Sequence, residues 1–333
     1  MRAIDLDRKY HQWALKIGQC LKSCAGMMLG CAIKSQDAEK EKELTDFLRL
    51  HDLEWQKKIS KSALATLSHR KSNKAVLLPL TQDLVKLQKY QCQQMTLLNA
   101  ELQKYPSRST WLNLAKVTLS RLIVFNKRRS GEASQMLLSS YNSRPQWHER
   151  GSEELKTSLT AVEQKLCDRL ALVEIIGKRG RKVPVLLTPE LRDSIDILNA
   201  MSTAAGIDSH NTFVFAHGYK NSLRSLRGHD VIRDVCDKAQ LMQPQLITST
   251  CLRKYIATVA QVVSLSENEC DWLANHLGHD YRVHKQFYRL HESVVELAKV
   301  SKLLLSADKG QLAKHASKFL DDINVEGMQL LKI

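Results

Sequence analysis

No stretch of this sequence is apolar for long enough to cross a lipid bilayer. Its most apolar segment, residues 25–33, is much shorter than the ~20 residues that a membrane-spanning helix needs. Arg2, Asp5 and Asp7 precede that segment, and the two acids are unlike the basic start of a secretory signal peptide. We therefore expect a soluble intracellular protein with no membrane partner.

Paired metal-ligand spacings are also lacking. The sequence has 8 cysteines, but only Cys20 and Cys24 lie close together, and no second ligand pair follows at the spacing of a zinc site. This pattern predicts free thiols that pack as small apolar side chains in a reducing compartment. It predicts no metal and no other cofactor.

Acidic residues are few relative to basic ones. The 35 Asp and Glu stand against 50 Lys and Arg, which gives a formal net charge of +15. Such a balance favours a polyanionic partner, because each phosphate that a cation neutralises releases a counterion and makes binding sensitive to salt. Charge that merely keeps the protein soluble is the alternative.

Glycine and proline are scarce in residues 1–104, where Pro79 is the only proline. Apolar residues recur there at steps of three and four, which predicts helices. A Pro- and Ser-rich break at residues 105–110 ends in Thr110, a residue suited to cap the next helix. We place the domain boundary here, with one domain at 1–105 and a second at 106–333.

One segment, residues 170–187, has the pattern of a β-hairpin. Two β-branched runs flank a Gly-rich basic turn, and Pro184 should keep the second strand at a sheet edge. The predicted fold class is therefore mainly α (α+β), with helices on either side of a small hairpin. The helices predicted in the second domain are 111–126, 189–205, 222–239, 248–263, 266–276 and 290–306.

Arg253 lies in the predicted helix 248–263, beside its apolar stripe. Thr248 is a reasonable N-cap for this helix, and Ala257 and Ala260 leave room for a guanidinium group on the face of Arg253. Burying an arginine there is costly unless an anion is present. An arginine that packs its stem and keeps its head in water is the structural alternative.

His279 and Tyr288 follow in the next segment. A capping box, Ser266-x-x-Glu269, starts a helix that Gly278 should end, so His279 comes directly after a helix end and can face a ligand. A histidine at such a place can equally be structural. Tyr288 comes nine residues after His279.

Arginine, Leu-Gly-His and tyrosine in this order and spacing resemble the active-site half of tyrosine recombinases, the phage-integrase class of DNA strand-exchange enzymes. The resemblance implies cleavage and rejoining of DNA through a 3′-phosphotyrosine intermediate, without a metal. The chemistry is reasonable, because guanidinium groups bind phosphate oxygens with two parallel hydrogen bonds and lysine or histidine can protonate a leaving oxygen. A tyrosine nucleophile conserves the bond energy as an ester.

Two segments earlier in the sequence resemble the motifs that form the other half of the same active site. Arg129 and Glu132 match the family's Arg-x-x-Glu after a helix, and Gly177-Lys178 before a Val-Pro strand matches its hairpin lysine. The resemblance implies that Arg129 and Arg253 clamp the scissile phosphate and that Lys178 protonates the leaving oxygen. It implies that His279 hydrogen-bonds the phosphate and that Tyr288 attacks it.

Two site assignments have competitors: Lys182 is the alternative to Lys178, and Tyr281 is the alternative to Tyr288. Outside the family context, the basic runs 127–129 and 177–182 fit nuclear-localisation or phosphate-binding patches equally well.

Thr250 departs from the family pattern. The usual motif is His-x-x-Arg, and here Thr250 stands at the histidine position before Arg253. A threonine can donate a hydrogen bond to a phosphate oxygen, but it cannot carry a proton or a charge. The alternative is therefore a catalytically inactive, domesticated DNA-binding protein of the same fold.

The catalytic-domain resemblance covers about 108–306 and is strongest to eukaryotic recombinases of Crypton-type transposons. It implies that residues 1–105 are a helical core-binding domain on DNA. It also implies a nuclear protein that binds double-stranded DNA as a homo-oligomer, a tetramer on two DNA sites. A third hypothesis, a helical scaffold for acidic partners, leaves the hairpin and the His–Tyr spacing unexplained.

Overall fold

The computed structural model describes residues 2–72, 77–144, 157–177, 180–219, 221–263 and 265–278. Of residues 2–9, 68–72 and 261–262 it describes the backbone alone. The predicted helix 290–306 lies outside the described residues. The chain divides into two compact units, residues 1–76 and 77–333.

The first unit is helical throughout its described part. It contains α1 (Arg2–Ser35) and α2 (Ala38–Leu50), which continues through a π-helical segment (His51–Ser60) into α3 (Lys61–Ser72). Small residues of α1, Gly18, Ala25 and Ala32, form its buried face, and Gly18 lies directly against the indole ring of Trp55. Small side chains therefore let these helices approach one another closely.

Within its described residues the second unit contains helices and the hairpin, and the fold class is as predicted: mainly helical with one small antiparallel sheet. Its elements are α4 (Thr81–Lys104), α5 (Arg108–Asn126), α6 (Ser130–Ser134), α7 (Leu138–Asn142), α8 (Ala161–Arg169), β1 (Ala171–Ile176), β2 (Lys182–Leu187), α9 (Pro189–Met201), α10 (Gly228–Lys238), α11 (Ser249–Val262) and α12 (Glu267–His276).

Helix α4 belongs to the second unit, because it packs against α5 and α9. A buried hydrogen bond of 2.8 Å from the Gln91 amide to the Ser120 hydroxyl joins α4 to α5. The two compact units thus divide between Val76 and Leu77. The predicted functional division at residue 105 falls elsewhere and stays a prediction.

Helix α5 is the centre of the second unit and is buried on almost every side. It begins three residues earlier than predicted, because Ser107 and not Thr110 is the N-cap: the Ser107 hydroxyl accepts from the Thr110 amide at 3.1 Å. Near its start, the Trp111 indole donates to the Leu198 carbonyl of α9 at 2.8 Å. Helices α4, α9 and α10 surround it.

The hairpin has the predicted antiparallel pairing, with Ala171 opposite Leu187 and Ile176 opposite Lys182. Its alternate residues are buried, as the β-branched pattern requires. The Asn126 side chain at the end of α5 exchanges two hydrogen bonds of 2.8 Å with the Leu186 backbone. The hairpin is therefore fixed to the last turn of α5.

Helix α10 starts at Gly228, six residues later than the predicted helix 222–239. The Asn211 amide donates to the carbonyls of Ser222 and Arg224, at 2.8 and 3.0 Å, so a side chain from outside the predicted helix uses carbonyls that a helix would need. Ser225 also pairs with Ala216 in an isolated bridge. The sequence around 222 gives no local sign of this partner.

Two of the eight cysteines, Cys236 and Cys270, are buried as predicted, whereas Cys20, Cys24 and Cys31 of α1 are exposed. Separately, every helix within the described ranges is too short or too polar to span a lipid bilayer.

Asp83 of α4 is buried and binds the segment that leads into α11. Its carboxylate, 1% exposed, accepts from the backbone amides of Met242 and Gln243 at 2.9 and 2.8 Å. Nearby, the Tyr255 hydroxyl of α11 lies 3.4 Å from the Thr81 hydroxyl at the start of α4. Helix α4 therefore positions α11.

We predict that Asp83→Ala lowers the free energy of unfolding by about 2–4 kcal/mol, because two buried amides lose their acceptor. Urea denaturation followed by circular dichroism measures the loss. Asp193→Ala, whose carboxylate is 64% exposed, is the control and should change stability by at most about 0.5 kcal/mol. Equal effects of the two variants would contradict the anchoring role.

Candidate active site

Three consecutive cations, Lys127, Arg128 and Arg129, follow α5 and differ in their surroundings. Lys127 has a left-handed backbone (φ 53°) that ends the helix. Arg128 is 0% exposed, whereas the Arg129 side chain is 25% exposed. A single turn after α5 thus directs one guanidinium group into the interior and its neighbour toward the surface.

The carboxylate of Glu132, on the short helix α6, binds both arginines. Its Oε1 accepts from Arg129 at 2.7 Å, and its Oε2 accepts from Arg128 at 3.2 Å. This is the Arg-x-x-Glu pair that the sequence predicts. Because one carboxylate faces two guanidinium groups, the cluster keeps an excess positive charge.

The same arginines hold the C-terminal end of α12, which lies almost 150 residues later in the chain. Arg128 donates to the carbonyl of His276, and Arg129 donates to the carbonyl of Gly278 at 3.4 Å. The His276 ring nitrogen Nε2 lies 3.1 Å from the carbonyl of Asn126, so the neutral ring donates there. The segment around Arg129 and the segment directly before His279 are therefore in contact.

Gly278 lies at the centre of this meeting point. Its φ of +69° ends α12 in the left-handed conformation, as the sequence predicts. A Cβ atom at this position would stand 3.1 Å from Val183 Cγ1 of the hairpin and 3.3 Å from Arg128 Nη2. Strand β2, the arginine turn and the end of α12 thus come together at one glycine.

Arg253 lies on α11, which packs against α5. It is 4% exposed, and Ala257 and Ala260 on its face are buried too. Thr248 is the N-cap, as predicted, since its hydroxyl accepts from the Cys251 amide at 3.2 Å. Thr250, at the position of the family's histidine, is exposed in the first turn of α11.

Several predicted site residues lie outside the described residues, namely Lys178, His279, Tyr281 and Tyr288. Gly177 and Gly180 are described on either side of the hairpin turn, where the Gly177 amide donates to the Arg181 carbonyl at 2.7 Å. Lys182, the alternative to Lys178, is exposed and forms an ion pair of 3.5 Å with Glu174. This ion pair joins the two strands of the hairpin.

Arg128, Asn126 and His276 were not among the predicted site residues. The basic run 127–129 was visible, but nothing local shows that its middle residue is buried by α12. The capping box of α12, Ser266 with Glu269, was correctly predicted from sequence. It sets the register that brings His276 against α5.

Burial governs the protonation of the cationic groups here. It lowers the pKa of Lys127 to about 8, with a further contribution from nearby Arg121. Burial also lowers the pKa of Arg128, and Glu132 opposes this shift. Within the described segments, no three or more His, Cys, Asp or Glu side chains are arranged to hold a metal ion.

No protein-family model and no curated protein sequence matches this chain. Two crystal structures of the XerH site-specific recombinase are similar to it. The post-cleavage complex on palindromic difH substrate has 16% identity and a TM-score of 0.41, over 69% of this chain and 54% of that one. The pre-cleavage complex on difH substrate has 15% identity and a TM-score of 0.40, over 69% and 55%. The matches thus span about half the length of the recombinase chains.

We predict that Glu132→Gln lowers the free energy of unfolding by about 3–5 kcal/mol, because buried Arg128 loses its counter-charge. Urea denaturation measures this loss. Glu267→Gln, at an exposed position at the start of α12, is the matched control and should cost at most about 1 kcal/mol. A Glu132 variant as stable as the control would contradict the central role of this carboxylate.

We also predict that His276 makes the protein less stable at acidic pH. Burial, and then the charge of Arg128, lowers the pKa of His276 from its ordinary value of 6.5, so the folded state keeps the ring neutral. The unfolded chain takes up a proton as the pH falls below that value. His276 therefore contributes stability that is present above pH 6.5 and is lost progressively as the pH falls below it.

Urea midpoints at pH 7.5 and 5.5 measure this effect. His276→Asn should remove part of the decline, whereas the control His229→Asn, at an exposed position on α10, should keep all of it. An unchanged decline in the His276 variant would show that other groups cause it.

Proposed function

We propose that this protein binds double-stranded DNA and cleaves and rejoins its strands through a 3′-phosphotyrosine intermediate. Tyr288 is the nucleophile in this proposal, and Arg129, Lys178, Arg253 and His279 assist it. The fold of residues 108–306 is then that of a tyrosine recombinase catalytic domain.

The contact between Arg129 and Gly278 carries the proposal. These residues belong to two separate motifs and lie 149 positions apart, yet a guanidinium nitrogen of one is 3.4 Å from the carbonyl of the other. Strand β2 of the third motif, the hairpin, touches the same glycine through Val183. Three motifs from distant parts of the sequence thus converge, which a chance resemblance in sequence would not require.

The environment of the arginines suits a phosphate. Arg129 is partly exposed and held by Glu132, so its remaining N–H groups have a fixed direction and can reach a ligand. Positive charge held in place before the reaction stabilises the negative charge that develops on phosphate oxygens. It also favours the phenolate form of a tyrosine nucleophile.

The roles of the other residues follow from their chemistry. Arg253, buried on α11, supplies the second guanidinium group for the phosphate. Lys178, in the turn of the hairpin, protonates the leaving 5′-oxygen, and His279 hydrogen-bonds the phosphate. The net charge of +15 attracts the DNA backbone and makes binding weaken as salt is added.

We further propose that the protein works in the nucleus as a homo-oligomer, a tetramer on two DNA sites, and derives from a Crypton-type transposon. The recombinase motifs around Arg129, Lys178, Arg253 and His279 support this origin.

Thr250 favours a second candidate function, DNA binding without strand cleavage. It is exposed in the first turn of α11, one turn before Arg253, and it offers a hydroxyl where the family has an imidazole. A hydroxyl can donate to a phosphate oxygen but cannot act as a general acid or base near neutral pH, as an imidazole can. Loss of the acid–base role of the imidazole would leave the positive surface and the affinity for DNA intact.

We predict that the protein forms a covalent adduct with nicked duplexes drawn from candidate element ends, in buffer that contains EDTA. The nick lets the cleaved end diffuse away and traps the phosphotyrosine. A denaturing gel with labelled DNA detects the adduct, and Tyr288→Phe should abolish it without changing DNA affinity.

Tyr281→Phe is the matched control, because it removes the nearest competing phenol. An adduct that survives Tyr288→Phe but not Tyr281→Phe would move the nucleophile to Tyr281. Complexes on a native gel that weaken with added salt, together with no adduct on any of the related end sequences, would favour the second candidate function, DNA binding without cleavage. DNA affinity that is insensitive to salt would contradict both.

A further inference from the structure

Helix α1 carries a stripe of large apolar side chains and thiols that nothing in the described part of the chain covers. Tyr10, Trp13 and Met27 are 68%, 61% and 66% exposed. We call this surface the α1 stripe, and its exposed members are Tyr10, Trp13, Ile17, Cys20, Leu21, Cys24, Met27, Met28 and Cys31. Burial of such side chains normally drives folding or association.

The opposite face of α1 already has its partner within the unit. Gly18, Ala25 and Ala32 are buried there, and Lys22 on this side forms an ion pair of 2.6 Å with Asp52. Helix α1 therefore packs through its small residues and presents its large ones outward.

The spacing of the stripe is that of a coiled-coil seam. Its main positions follow one another at alternating steps of three and four, and they are Tyr10, Trp13, Ile17, Cys20, Cys24, Met27 and Cys31. A repeat of this kind places side chains along one line that faces a second helix. The pattern extends over 22 residues of the helix, three heptads with their boundary positions included.

The edges of the stripe carry little charge. Of the six positions that flank the seam between Tyr10 and Cys31, five are uncharged, and they are Ala14, Leu21, Ser23, Met28 and Gly30. Lys16 is the one flanking charge. Since flanking charges select the partner of a coiled coil, a nearly neutral seam does not repel a second copy of itself.

The size of the stripe also suits self-association. Covering it in two copies would bury on the order of 1,200 Å², judged from typical side-chain areas, which is the lower end of the range for stable interfaces. A uniformly apolar line is compatible with a two-fold axis, because the same patch then meets itself.

We infer that the α1 stripe is a dimerisation surface, on which α1 of a second copy of this chain packs as a two-helix coiled coil. This contact involves the first unit alone and requires neither DNA nor catalysis. It therefore holds whether or not the proposed strand cleavage occurs.

The test compares association of the full chain with that of a charged stripe variant. Sedimentation equilibrium without DNA should show a dimer for the parent chain. The double variant Trp13→Glu, Met27→Glu should raise the dimer dissociation constant by at least about 100-fold, since both carboxylates would be buried without partners. Ile33→Glu is the matched control, because Ile33 is a 53% exposed apolar residue of the same helix off the stripe, and it should dimerise like the parent.

Thiol cross-linking gives an independent measurement. Cys20, Cys24 and Cys31 lie on the seam, so mild oxidation should produce a disulfide-linked dimer on a non-reducing gel. Their triple replacement by serine should remove that band, and so should the double glutamate variant.

A parent chain that is monomeric at all concentrations would overturn the inference. So would a double glutamate variant that unfolds at lower temperature while both proteins stay monomeric, since another part of the same chain would then cover the stripe. Equal weakening by Ile33→Glu would show that charge on α1, and not the stripe, governs association.

Discussion

The carboxylate of Glu132 is the interaction on which the arrangement of the candidate site depends. Two adjacent arginines leave α5 in different directions, and this one group neutralises part of the charge of both. With its help Arg128 can be buried, and a buried Arg128 can bind the carbonyl at the end of α12. That contact places Leu277 and Gly278 beside α5, where the Asn126 side chain holds strand β2 independently.

The two arginines have different roles, which a single guanidinium group could not combine. Arg128 is wholly enclosed and acts on the protein itself, whereas Arg129 keeps part of its surface in solvent and remains available to a ligand. Burial, and then the charge of the enclosed cation, lowers the pKa of His276 and keeps its ring neutral. An anion arriving from solvent would meet a donor that is already oriented.

Local features explain which parts of the fold were predictable from sequence. The caps at Thr248, Ser266 and Gly278 depend on neighbours within a few residues, and all three were predicted correctly. The predicted start of α10 was wrong because the Asn211 side chain, 11 and 13 positions earlier in the chain, binds the carbonyls of Ser222 and Arg224.

The difference between Arg128 and Arg129 was beyond sequence reasoning for the same reason: a helix almost 150 residues away decides which one is buried. Periodicity likewise shows which residues of α1 share a face, but not that the face of small residues is the buried one. Lys178, His279 and Tyr288 lie outside the described residues, and their roles stay predictions.

The hydrogen bonds between Asp83 and the backbone at Met242 and Gln243 have a mechanical consequence. Residue 77 is where the chain passes from one compact unit to the other, and Asp83 follows six positions later in the first turn of α4. Tension applied along the backbone at that crossing would act on the contact between Thr81 and Tyr255 and then on two short hydrogen bonds from Asp83 to the segment that leads into α11. A pull on the N-terminal unit would thus be felt at the helix that bears Arg253 before it reached the hydrophobic centre around α5.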